Sequence, residues 1–91
     1  MQITAYIPTA LRKYTGNAPE ISLSAATVQG ALSEIKKDHP RLYPSICDET
    51  GAVRRHLNLF VNSSHVRDLD GLDTRFAEGD VLSIMIAVSG G

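Results

Sequence analysis

The sequence predicts an α+β sandwich in which one main helix packs against about five strands. Several short runs alternate apolar and polar residues with period two, one stretch in the first half carries an apolar stripe with helical spacing, and 91 residues leave room for a single core. Each element then has one apolar face to hide, so helix and sheet cover one another.

Gln2 to Ile7 alternates polar and apolar, with Ile3, Ala5 and Ile7 on one face and Pro8 closing the run. After a loop with Gly16-Asn17 and Pro19, Glu20 to Ser24 alternates again and reads as the partner strand of a hairpin. Thr27 can cap a helix whose stripe is Val28, Ala31, Leu32 and Ile35; Lys36, Lys37 and His39 suit its C-terminal dipole, and Pro40 stops it. Gly30 inside this helix implies either a close approach to the sheet or simple tolerance. Residues 40–54 lack a sustained period and read as a long connection with one helical turn near Tyr43 to Cys47.

Leu57, Leu59 and Val61 alternate with His56, Asn58 and Phe60, and Asn62-Ser63-Ser64 turns the chain into a short strand, His65 to Arg67. After Glu78-Gly79-Asp80 a final strand runs from Val81 to Val88, with Leu82, Ile84, Ile86 and Val88 on one face. If the leucines of the third strand face the helix, Phe60 points outward, and the same parity sends Met85 outward. Two such side chains on neighbouring strands would form an apolar patch of the kind that docks a protein partner, which makes Phe60 and Met85 the candidate docking residues.

Nine basic and ten acidic residues give a net charge of −1, which supplies no cationic field for a nucleic-acid backbone. The lone Cys47 excludes an internal disulfide framework and a four-cysteine metal site, and fits a reducing compartment; the expected location is cytoplasmic. No stretch resembles a secretory signal or reaches the roughly 20 apolar residues of a membrane span, so no membrane role is expected.

Residues that carry chemistry are few, and neither an enzyme's catalytic group nor a cofactor site is expected. His39, His56 and His65 lack the spacing and supporting cysteines of a metal site. Asp68, Asp70 and Asp73 surround Gly71, but a calcium-loop register would put Val66 and Ala77 at ligand positions, so they read as a solvated turn. Acidic neighbours disfavour a Cys47 thiolate, Asn62-Ser63-Ser64 is a turn rather than a glycan site, and Arg54-Arg55-His56 reads as a solvated cluster rather than an anion site. Two glycines after the last apolar strand add no buried area and carry the largest backbone entropy. A backbone without Cβ atoms can, however, thread into a narrow active site and present its own carboxylate.

The strand order, Phe60-Val61-Asn62, Val66-Arg67, Gly71-Leu72, Glu78-Gly79-Asp80 and the ending Ala87-Val88-Ser89-Gly90-Gly91 together resemble the ubiquitin-like sulfur carriers of the ThiS and MoaD type. The resemblance implies a β-grasp fold with a five-stranded mixed sheet, residues 1–88 forming the domain and 89–91 a flexible tail. It implies a carrier rather than an enzyme. In that family an E1-like partner uses ATP to adenylate the terminal glycine, here Gly91, and a sulfur donor converts the adenylate to a thiocarboxylate, while Ser89 and Gly90 would insert into the partner. Ile7-Pro8-Thr9, Leu11-Arg12 and the ending look most like the CysO-type carriers of cysteine biosynthesis. In those, the sulfur attacks an aminoacrylate formed from O-phosphoserine on a pyridoxal-phosphate (PLP) cysteine synthase, and a metallopeptidase releases the cysteine. Thiamin and molybdopterin synthesis are the other destinations. A covalent modifier ending as an isopeptide on lysine uses the same activation, and a plain binding module with an inert tail is the third reading.

Overall fold

The computed structural model describes residues 1–87, so Val88 and the proposed tail Ser89-Gly90-Gly91 lie outside the described residues. The strands are β1 (Gln2–Tyr6), β2 (Glu20–Ser24), β3 (Leu57–Val61), β4 (Ser64–His65) and β5 (Val81–Ile86); the helices are α1 (Val28–Asp38) and the single turn α2 (Tyr43–Ile46). The five strands form one sheet in the order β2-β1-β5-β3-β4. β1 and β5 run parallel and the other pairs antiparallel, so the sheet is mixed.

The period-two reading holds strand by strand. Ile3, Ala5, Leu23, Leu57, Leu59, Leu82 and Ile84 are all buried on the face that meets α1. The helix answers with Val28, Ala31, Leu32 and Ile35, each wholly inaccessible. Its first turn is held as expected: Thr27 Oγ1 accepts the Gly30 N–H at 3.1 Å, and Lys36 and Lys37 occupy the last turn. Gly30 is there by tolerance. A Cβ on it would meet the Thr27 hydroxyl at 3.4 Å and the Ala25 methyl at 3.6 Å, ordinary contact with its own cap rather than with the sheet.

Three features depart from the sequence reading. Thr9–Tyr14, expected as loop, is a 3₁₀ helix that brings Leu11 and Tyr14, three residues apart, against the core. The short strand expected at His65 to Arg67 is Ser64–His65, because Val66–Asp68 winds into a 3₁₀ turn capped by His65, whose Nδ1 accepts the Arg67 N–H at 3.1 Å. The last strand is Val81–Ile86, with Ala87 outside it, and the Val88 end of the expected strand falls beyond the described residues.

A polar clasp joins the end of β3 to the start of β5. Asn62, at φ 55°, donates from Nδ2 to Asp80 Oδ1 at 3.1 Å and accepts the Val81 N–H on Oδ1 at 3.1 Å. The short Asn side chain tolerates the left-handed backbone, and these two bonds hold it there.

Candidate functional site: the tail root and the outer sheet face

β5 occupies the middle of the sheet, between β1 and β3, and delivers the chain to its tail. Ile86 pairs with Leu57, and the Ala87 N–H donates to the His56 carbonyl at 2.7 Å, so the last described residue is still tied to the body. Gly91, Gly90 and Ser89 begin two residues further on and lie outside the described residues.

The face of the sheet away from α1 carries the candidate docking residues. One row crosses it as Glu20, Tyr6, Ser83, Phe60 and His65, each paired with the next. Phe60 is half-buried because its ring meets that of His65 edge-on, with centroids 5.0 Å apart and planes at 66°. Met85 is 44% exposed. Both point outward, as parity requires, but they are diagonal rather than opposite: Phe60 pairs with Ser83 and Met85 with Asn58. Because His65 Nδ1 accepts from Arg67, the neutral ring carries its proton on Nε2 and donates to Asn58 Oδ1 at 3.0 Å. Tyr6, at the other end of the row, is fixed by Arg12, whose Nη2 donates to its hydroxyl at 3.2 Å while Nε donates to the Ile7 carbonyl at 3.0 Å. The sequence weighed His65 only as a metal ligand and did not single out Tyr6, although period-two parity places Tyr6 on this face.

The structure places the other residues weighed in the sequence as follows. Among the described residues no group of three histidine, cysteine or acidic side chains could hold a metal ion, and no helix is long and apolar enough to cross a membrane. Asp68, Asp70 and Asp73 are exposed. Cys47 is 1% exposed. Burial is the first cause that pushes its thiol up, with the Asp48 carboxylate adding to it, while a hydrogen bond with Tyr43 and the Arg54 charge pull the other way. The acidic neighbours that the sequence singled out are therefore the lesser cause. In the folded protein the thiol is expected to resist a thiol-specific reagent and to react at the rate of a free cysteine only after denaturation. On the sulfur-carrier resemblance, Cys47→Ser is expected to keep sulfur loading within a few-fold, and loss of loading with an intact fold by circular dichroism would make Cys47 a sulfur relay.

Comparison with known proteins agrees with this architecture. The model of the ThiS family matches residues 6–91. Over the whole length of both chains the sequence is 34% identical to the sulfur carrier protein CysO of Mycobacterium tuberculosis. The crystal structure of the Amycolatopsis orientalis BexX/CysO complex matches with a TM-score of 0.87 and 32% identity, covering 98% of this chain and 99% of that one. Small archaeal modifier protein 1 of Methanosarcina acetivorans matches with a TM-score of 0.84 and 28% identity, over 99% and 96%. A β-grasp sheet built around β5, a double glycine following that strand, and a family match running from Tyr6 to Gly91 together make this chain a member of the ThiS family.

Proposed function

We propose that the protein is a sulfur carrier serving cysteine biosynthesis, with Gly91 as the sulfur-bearing residue. The observation that carries this reading is the full-length similarity to sulfur carrier protein CysO. An E1-like enzyme supplies the activation: an oxygen of the Gly91 carboxylate attacks the α-phosphorus of ATP and pyrophosphate leaves. A sulfur donor then attacks the acyl carbon and AMP departs with one of the original oxygens, leaving a thiocarboxylate. A carboxylate is a poor electrophile, so the carrier contributes a reachable acyl group and the partner contributes the chemistry. A PLP-dependent cysteine synthase is the acceptor in this reading, the protein is a carrier and not a catalyst, and its work lies in the cytoplasm. Ser89 and Gly90 thread into the partner as the tail of the domain formed by residues 1–88. Thiamin or molybdopterin synthesis would use the same activation with a different acceptor.

Intact mass after incubation with an E1-like enzyme, ATP and sulfide tests it: the chain gains about 16 Da as sulfur replaces oxygen. A chain that stays at its starting mass with an active partner removes the proposal. The second reading is a covalent modifier, favoured by the likeness to small archaeal modifier protein 1 and by 32% identity over 66 residues to small archaeal modifier protein 3 of Haloferax volcanii, covering 72% of this chain and 71% of that one. Lysine conjugates of higher mass, in place of the sulfur gain, would select it.

Docking of the partner is assigned to the outer face around Phe60 and Met85. Phe60→Ala is expected to weaken partner binding by roughly 1–3 kcal/mol, the scale of an interface anchor. The melting temperature is expected to change little, since the ring lies on the outer face, partly exposed and resting on His65 rather than in the core. Unaltered affinity by calorimetry would move the docking site elsewhere.

A further inference from the structure

A groove of about 370 Å³ opens where the loop before β3 meets the 3₁₀ turns after β4. Val53, Leu57, Leu59, Val66 and Leu72 give it aliphatic walls. Arg54, Arg55 and Arg67 stand among its lining residues, all three exposed, and no acidic residue is among them. Asp68, Asp70 and Asp73 follow in the same stretch of chain but do not line it. In a chain of net charge −1 this gathers three of the nine basic residues at one apolar slot. β4 pairs only with Phe60 and Val61, so among the described residues the Leu57–Leu59 part of β3 has no partner strand on that side. The tail root lies one strand away from the groove: Leu57, which lines it, pairs with Ile86, and Ala87 bonds to His56, next to the lining residue Arg55. Four residues, 88–91, span at most ~14 Å when extended, so an enzyme holding Gly91 has its surface within reach of the groove.

We propose that the groove receives an extended acidic segment bearing one aliphatic anchor, presented by the enzyme that takes the tail. Identifying that enzyme rests on the sulfur-carrier reading; the chemistry of the groove does not. The aliphatic anchor enters between Leu57, Val66 and Leu72, the carboxylates meet the arginine rim, and the rim sets the salt dependence of docking. Arg54 has one side committed, since its Nε donates to the Pro44 carbonyl at 2.7 Å, which leaves Arg55 and Arg67 as the adjustable charges.

The probe is a fluorescein-labelled peptide with a central leucine flanked by glutamate and aspartate, set against a matched peptide with lysines in place of the acids. Fluorescence anisotropy is expected to show saturable binding of the acidic peptide alone, with NMR shifts confined to the methyls of Val53, Leu57, Leu59, Val66 and Leu72. The double variant Arg55→Glu/Arg67→Glu is expected to bind it at least about tenfold more weakly with an otherwise unchanged spectrum. Equal binding of both peptides, no saturable binding, or shifts centred on Phe60 and Met85 would overturn the groove. With the E1-like enzyme, the double variant is expected to show a raised KM at unchanged kcat, and an unchanged KM would overturn the assignment of the occupant. Failure of the sulfur-carrier reading shows separately, as no mass gain in the unsubstituted chain.

Discussion

Deletion of Gly91 is expected to abolish the mass gain of about 16 Da, and one residue added after it is expected to do the same. Removing a residue withdraws the carboxylate by ~3.3–3.6 Å, and adding one carries it past the nucleotide by as much. In-line attack on phosphorus tolerates neither, because a misplacement of even 1 Å at a reacting centre costs about a hundredfold in rate. The body does not share in the loss. Ala87 keeps its hydrogen bond to His56, and among the described residues the buried core ends at Ile84, so the urea midpoint of the truncated chain is expected to match that of the full chain. This pairing of total loss of loading with unchanged stability separates a terminal-carboxylate carrier from a merely misfolded one. A truncated chain that still loads sulfur fully would leave Gly91 without a role.

Ile84→Ala is expected to cost about 2–5 kcal/mol, whereas Met85→Ala next to it changes stability by no more than about 0.5 kcal/mol. Ile84 is wholly inaccessible in the middle strand and Met85 is 44% exposed, so one peptide unit separates the core from the outer face of the sheet. A small domain has only about 5–15 kcal/mol in total, so the first change removes a large fraction of it. Urea midpoints at constant slope give both numbers. The opposite ranking would mean that the strand faces are reversed, and with them the placement of Phe60.

Strand faces were legible because burial alternates with the pleat: Leu57, Leu59 and Val61 needed only period two to be placed. Thr27 was legible as a cap because a hydroxyl one position before the first apolar helical residue has one obvious use. Thr9–Tyr14 was not, since a 3₁₀ segment of six residues carries two apolar contacts and no repeat. Parity put Phe60 and Met85 on one face, yet their diagonal offset depends on the register with β5, which is fixed by the Asn62–Asp80 clasp and invisible in either strand alone. That the sheet is mixed came with the family resemblance, while the parallel pairing of β1 with β5 emerged only in the structure. The arginine groove was hidden for a similar reason. Arg54-Arg55 read as a solvated cluster because Arg67 and the aliphatic floor reach it only through the fold. The proposed tail rests on the sequence alone, where two glycines follow a strand they cannot stabilise.

The central position of β5 also governs what happens when a partner pulls. Had the tail followed an edge strand such as β2 or β4, traction on it would unzip one ladder a bond at a time. Instead the load enters a strand flanked by a parallel neighbour and an antiparallel one, Thr4 to Tyr6 on one side and Leu57 to Val61 on the other. Force along β5 shears both ladders at once, so many bonds yield together or none do. If the proposed tail insertion holds, a partner that pulls on the tail has to break both ladders together rather than peel one.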